Sequence, residues 1–385
     1  MVDAVMAADH NALAKPVATL PSHWYTDDTH HAKELAAIWY REWIYVARSA
    51  EVAKPKDYLT VQIGNQSILL LRDEHGELRA FHNTCRHRGA ELCDKASGRL
   101  TGVGISCPYH AWRYHLDGRL AKIPVSHGAE QVDVAKLGLY RVAAKEWRGF
   151  IYVNLSPNPI DFTQAFAPHE AQFKRWPLER LVAGHRWTKL INCNWKIFWE
   201  NYNECLHCPS VHPKLVERVP IYQRGIMESR DAPNWRDTQA NTDPLYCGGL
   251  NHGAASWTLD GQSLGYEFDL SAEERQLGYH YLTQIPGQYL VLHVDHVRCS
   301  RLLPRGVDQT ELQIDWLFAP ELLADSSVDI TNAVSFSQTV MQEDALVCEA
   351  VQRGITAQPF DAGVLMPEEY DVYRFQQWVR ERVQA

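Results

Sequence analysis

Along residues 58–155 apolar and polar positions alternate in short runs cut by turn residues: YLTVQI, a Gly64-Asn65 turn, SILLLRD, a His75-Gly76 turn, LRAFHN, and later GFIYVNL. Alternation with a period of two, broken by turn formers, predicts a compact all-β module. Ahead of it, AKELAAIWYREWIY over 32–45 has helical apolar spacing, and Pro157 and Pro159 close the module on its far side. Beyond about residue 160 the pattern changes. A strand over 186–192 precedes a helical segment from Trp195 to about His207, and an irregular stretch rich in Pro, Gly, Asn and Trp fills 213–265. Strands over 289–303 and 310–318 and a helix over 330–352 complete an α+β pattern, helices packed on one side of a concave sheet. The expected division is an N-terminal helical segment 1–45, a β domain 46–158 and a larger domain 159–385.

Charge narrows the partners. Lys and Arg number 38 against 47 Asp and Glu, a formal charge of −9 with no basic stripe, which argues against a nucleic-acid surface or an anionic membrane. No apolar run approaches the roughly 18 residues of a spanning helix. Asp3 and Asp9 lie among N-terminal alanines where a secretory signal would have a basic start and an apolar run, so a cytoplasmic location is expected. Nine cysteines, an odd number in a long chain, point to reduced thiols, some of them metal ligands, rather than to a disulfide framework.

Four such residues fall in the β module as Cys85-x-His87 and Cys107-x-x-His110, each pair short enough for both side chains to enter one space. Zinc accepts two Cys and two His. Interleaving the types suits a [2Fe–2S] cluster better, one iron taking both thiolates and the other both imidazoles, which raises the potential and makes an electron relay. The segment closely resembles the Rieske motif, with Tyr109, Trp112 and Gly118 at that family's flanking positions. Its loop from His87 to Cys107 is longer than the family's usual one, which loop insertion makes thermodynamically cheap. Cys93, inside that loop, is read as a bystander.

A second constellation occupies WKIFWENYNECLHCPSVHP. Asn201, Glu204 and His207 are three apart, one face of a helix, while Trp195, Phe198 and Tyr202 make its apolar face. His212 lies five beyond His207, and Pro209 is expected to end the helix and let the chain bend back. Downstream, Ala333, Phe336, Val340, Val347 and Val351 form a helical apolar stripe with Asp344 in its gap. A carboxylate on a buried face needs compensation, and a metal provides it. His207, His212 and Asp344 together make the two-His-one-carboxylate set of non-haem Fe(II) oxygenases, with Glu343, about 100° round the helix, as the alternative ligand.

These residues, with QEDALVCEAVQRG, resemble the catalytic pattern of the Rieske non-haem iron oxygenase α subunits over nearly the whole chain. The resemblance implies an all-β Rieske domain set into a catalytic domain with a helix-grip, START-like antiparallel sheet. It implies a homotrimer in which one chain's cluster lies beside the next chain's iron, with O2 as co-substrate. It also implies that Glu204, where many members carry Asp, bridges His207 to the partner subunit's His110. With no dinucleotide fingerprint after a strand, a separate ferredoxin or flavin reductase is expected as the donor. Arg86, Arg88, Lys95, Arg99 and Arg113 outnumber Glu91 and Asp94 near the cluster, a face suited to an acidic donor.

The context NYNECLHCP resembles the branch that oxidises quaternary ammonium compounds such as glycine betaine, choline and carnitine, by hydroxylation beside the nitrogen or N-demethylation. Such a cation favours aromatic faces, and Trp235, Tyr246, Trp257, Tyr266, Tyr279 and Tyr281 are the candidates for its pocket. The alternative is an aromatic-ring-hydroxylating dioxygenase α subunit acting on an aromatic acid. An electron-transfer protein or a structural zinc protein would leave the second constellation unexplained.

Overall fold

The computed structural model describes residues 6–384 apart from 8, 125 and 126. They fall into two units: Trp39–Glu170, and a second that joins the chain up to Ile38 with everything from Ala171 on. In the first, strands run Ile44–Arg48 (β1), Asp57–Ile63 (β2), Gln66–Arg72 (β3), Leu78–His82 (β4), Ser97–Arg99 (β5), Ile105–Ser106 (β6), Arg113–Tyr114 (β7), Leu120–Lys122 (β8), Ala143–Trp147 (β9) and Phe150–Asn154 (β10). They form three small sheets, ordered β9-β10-β1, β4-β3-β2-β5 and β6-β7-β8. Gly64 and Asn65 make the two-residue turn expected between β2 and β3, whose register pairs Ile63 with Gln66.

The segment 32–45 does not form one helix. Asp28–Glu34 (α1) is helical, capped by Asp27, whose carboxylate accepts the His30 amide at 2.6 Å. A wider turn covers Leu35–Trp39, and the chain then enters β1, all of whose residues are buried and which pairs with β10. An uninterrupted apolar run reads equally as a buried helix or a buried strand, and strand pairing decides it. The units divide at 38/39 and 170/171, where 45/46 and 158/159 were expected.

The second unit is built on the antiparallel strands Val182–Ile191 (β11), Tyr279–Gln284 (β12), Gln288–His293 (β13), His296–Gly306 (β14) and Gln309–Phe318 (β15), in the order β11-β15-β14-β13-β12. The single strand expected over 289–303 is two, turning at Val294-Asp295. There the Asp295 carboxylate accepts from Ser256 Oγ and the Leu264 amide and contacts His296 Nδ1, local bonds that replace the ladder. Trp195–Tyr202 (α2), Cys208–Val211 (α3), Pro213–Arg218 (α4), Thr331–Gly354 (α5) and Tyr370–Gln384 (α6) are its main helices. α5 buries one stripe, including Ala333, Phe336, Val340, Met341, Asp344 and Cys348. That stripe meets the sheet where Trp316 Nε1 donates to Ser337 Oγ at 2.7 Å and Tyr289 Oη to Met341 Sδ at 3.0 Å. No helix among the described residues is long and apolar enough to cross a membrane.

Candidate metal centres

In the β unit, Cys85 and Cys107 are buried and their thiols adjoin, while His87 and His110 are exposed. Each Cys/His pair sits in a tight loop closed by its own backbone: the Gly89 amide donates to Cys85 O, and the Ala111 amide to Cys107 O. The imidazole rings lie 4.7 Å apart, and His87 stacks on Trp112 at 4.8 Å. One end of the site is therefore sulfur in a dry core and the other is imidazole at the surface, the donor arrangement a histidine-ligated [2Fe–2S] cluster needs. Tyr114 supports the buried end, its hydroxyl 3.2 Å from Cys85 Sγ and accepting the Arg86 amide at 3.0 Å. Gly118 has φ +88°, and a Cβ there would stand 2.4 Å from Phe81 Cε1, so only glycine fits this turn. Cys93 is buried, its backbone clamped by Asn83 and its thiol pushed up to about 11 by burial, an inert side chain. Of the cationic face, Arg86 is committed to Gly138 O and the Tyr140 ring, and Arg99 to Asp57.

In the other unit, ligand atoms of His207, His212 and Asp344 all lie within 4.8 Å of one another. Asp344 Oδ1 is 2.9 Å from His212 Nε2 and 3.4 Å from His207 Nε2. Both outward-facing nitrogens are held by carboxylates: His207 Nδ1 by Glu204 at 2.5 Å and His212 Nδ1 by Glu343 at 2.8 Å. Two imidazoles that turn Nε2 inward and give Nδ1 to a carboxylate are oriented as metal ligands are. Glu343, the alternative ligand of the sequence reading, takes this supporting position. Burial would push His207 down and Asp344 up, yet their mutual hydrogen bonds and Glu204 outweigh it, carrying His207 up to about 9 and holding Asp344 near 2. His212 is also raised, by Asp344 and Glu343 against burial. A set that ordered and that anionic fits a divalent cation, which would displace the imidazole protons.

The expected helix to His207 stops at Tyr202. Asn203 leaves helical geometry, and the Glu204 carboxylate accepts the amides of Leu206 and His207. Asn201, Glu204 and His207 therefore meet around a turn, not along a helical face; Asn201 Nδ2 is 3.4 Å from His207 Nε2. Pro209 opens α3 instead of closing a helix, satisfying the first-turn position that needs no amide donor. Against the expectation of reduced thiols, Cys205 and Cys208 form a disulfide across His207. The C-x-x-C spacing was visible in the sequence.

The triad opens on a narrow cavity of about 60 Å³ lined by Tyr202, Tyr222, Trp257, Tyr281 and Arg298, with Leu215, Met227, Val340 and Met341. Of the six aromatic candidates, Trp257 and Tyr281 line it. Tyr279 lies one layer behind, its ring 5.3 Å from Trp257. Tyr266 borders a different cavity, Tyr246 is half-buried under Arg224, and Trp235 gives its indole N–H to Asp9 O. The strand alternation carries Tyr281 to the cavity with Tyr279 behind it, whereas the irregular stretch brings in Trp257 and sends Trp235 and Tyr246 elsewhere. Tyr202, Tyr222 and Arg298 were missed. Arg298, inside the apolar strand HVRCSRLL, was the available signal.

Residues 178–385, more than half of the chain, match the catalytic domain of the ring hydroxylating alpha subunits, and residues 42–136 match the Rieske [2Fe-2S] domain. The glycine betaine monooxygenase oxygenase subunit of Chromohalobacter salexigens is 28% identical over 380 residues, spanning 94% of this chain and 84% of the relative. The carnitine monooxygenase oxygenase subunit of Escherichia coli is 34% identical over 221 residues, 57% of this chain and 59% of the relative. Among solved structures, a quaternary ammonium Rieske monooxygenase superposes with a TM-score of 0.73 at 22% identity, over 95% of this chain and 96% of that one. Naphthalene 1,2-dioxygenase from a Rhodococcus species gives 0.69 at 19% identity, over 95% and 94%. The structural likeness is one of fold, and the fold is the expected pairing of a Rieske β domain with an antiparallel-sheet catalytic domain.

Proposed function

The chain belongs to the ring-hydroxylating α-subunit family of Rieske non-haem iron oxygenases, and from that premise we propose that it is the oxygenase component of a monooxygenase acting on a small quaternary ammonium compound. As a member it carries a Rieske [2Fe–2S] cluster and a mononuclear iron and uses O2. In this reading Cys85, His87, Cys107 and His110 hold the cluster, and His207, His212 and Asp344 hold the iron. When bound, the iron supplies O2 activation, with electrons arriving through the cluster. Glu204 and Glu343 fix the imidazoles for that task.

The observation that carries the substrate class is the lining of the triad's cavity. Tyr202, Tyr222, Trp257 and Tyr281 bring four aromatic rings to a narrow space, a surround suited to a trimethylammonium group, which cannot be hydrogen-bonded. The relatives named for glycine betaine and carnitine support the same class. Hydroxylation at an N-methyl or the adjacent carbon would follow, with N-demethylation when the carbinol collapses.

Electrons come from a separate ferredoxin or flavin reductase, a reading that the relatives' designation as oxygenase subunits supports. Assembly as a homotrimer, with Glu204 linking His207 to the partner subunit's His110, is supported by exposed apolar side chains: Leu206 and Leu346 on the segments that carry the triad, and Val351 and Val364 lining a surface cavity shared with Glu204. Turnover with a compatible reductase tests the proposal: glycine betaine, carnitine or choline should drive O2 uptake, with formaldehyde released if an N-methyl is hydroxylated and trimethylamine if the adjacent carbon is. Turnover of benzoate with none of these three would sink it. Glu204→Gln should keep both metals and a reducible cluster yet fail in single turnover; normal product formation there would remove Glu204 from the electron path.

A further inference from the structure

Arg298 lies in the middle of β14, between Val291 of β13 and Trp316 of β15, and is 2% exposed. It lines the cavity of the iron triad. Two of its three guanidinium nitrogens, Nε and Nη1, are buried with no hydrogen-bond partner. Its Cζ stands 5.8 Å from the ring centres of both Trp257 and Tyr289, at the outer edge of a cation–π contact. A buried guanidinium with unanswered donors is strongly unfavourable, and a fold keeps one where an anion completes it.

Other lining groups point the same way. Trp257 Nε1 is also buried without a partner and borders the same cavity, as does the buried Tyr202 hydroxyl, whose side-chain neighbour is Thr283. Every one of these groups can donate a hydrogen bond, so the unmet need is for an acceptor. We infer that Arg298, with Tyr202 and Trp257 beside it, is the anchor for a carboxylate of the substrate. This rests on the quaternary ammonium reading and narrows it to zwitterions, betaine-type compounds over choline-type alcohols. The same lining that holds Arg298 holds Asp344, and a cavity with both signs orients a zwitterion: its carboxylate goes to Arg298, and repulsion turns the ammonium end, with its methyl groups, away from the guanidinium.

Calorimetric titration of the full-chain protein without reductant separates the possibilities, using glycine betaine, choline and benzoate as probes. Wild type should bind glycine betaine more tightly than choline. Arg298→Met should weaken glycine betaine about a hundredfold and leave choline unchanged or tighter. Arg298→Lys, which keeps the charge, should lose only about tenfold. The ligand-free Arg298→Met protein should also melt higher than wild type, because an unanswered buried charge has been removed. Equal losses for glycine betaine and choline, or a lower melting point in the ligand-free variant, would mark Arg298 as structural and overturn the inference. Wild type that binds choline but no carboxylate overturns it as well. Binding of benzoate that depends on Arg298, with neither glycine betaine nor choline bound, keeps the anchor and sinks the quaternary ammonium reading instead.

Discussion

Helix α2, Trp195–Tyr202, buries polar groups on two sides, and the two sides differ in whether the buried charges are answered from within the chain. Behind it, Lys196 Nζ lies 2.7 Å from Glu34 Oε1 and also donates to Trp24 O and Asn194 Oδ1, both at 2.8 Å. Glu34 Oε2 accepts from Trp195 Nε1, and Glu200 accepts from Tyr25 Oη at 2.6 Å and Gln376 Nε2 at 2.9 Å. On the side of Tyr202 the cavity leaves Trp257 Nε1 and two Arg298 nitrogens unanswered, and sets three ligand atoms around a space. Both sides place charge in a dry interior. Behind the helix Glu34 Oε1 lacks a geometric hydrogen bond but meets Lys196 and His30 as ion pairs, so the charges there are answered within the chain, whereas open donors and converging ligands are what a molecule or ion still has to complete.

If that contrast holds, substitutions on the two sides separate activity from stability. The largest effect belongs to Asp344→Ala. Turnover should be abolished and iron should fall by about one per chain, while the Rieske spectrum and the cluster irons persist. Retained iron in that variant, with loss in Glu343→Ala instead, would exchange the two roles. Conversely, Cys85→Ser should bleach the cluster and leave mononuclear iron binding intact.

Behind the helix the readout is unfolding. Lys196→Met strands Glu34 and should destabilise by about 3–5 kcal/mol in denaturant titration. Replacing both partners, Lys196→Met with Glu34→Leu, should recover most of that loss, since an apolar pair often substitutes for a buried ion pair at little net cost. If the double variant is no more stable than the single one, the network does more than balance its own charges.

The smallest effect is a pH dependence. Burial carries Glu200 up to about 7, against the hydrogen bonds of Tyr25 and Gln376, while in the unfolded chain it titrates near 4.5. Between these values the native state holds a proton that the unfolded state has released, so this contribution is fully present below pH 4.5 and is lost as pH rises through 7. Glu200→Gln should flatten stability across that window and be more stable than wild type above pH 7, by an amount on the order of 1–3 kcal/mol. An unchanged profile would mean that Glu200 is ionised in the native state.

What the sequence determined by itself was everything written in short-range spacing. Cys85, His87, Cys107 and His110 announce themselves because each pair must share one turn, and Asp344 because a carboxylate interrupts an apolar stripe that a helix must bury. The β module was legible wherever turn residues punctuated the alternation. Tertiary structure decided what depends on partners far along the chain. Ile44–Arg48 became a strand because β10 pairs with it. The helix before His207 ended early because the Glu204 side chain captured the next amides. Glu343 became the holder of His212, and Trp257 and Tyr281 were selected from six aromatic candidates. Arg298 is the plainest case: its type and strand position were in view, but whether its nitrogens find partners depends on sheet neighbours, on Trp257 and on the helix that carries Tyr202, which only folding brings together.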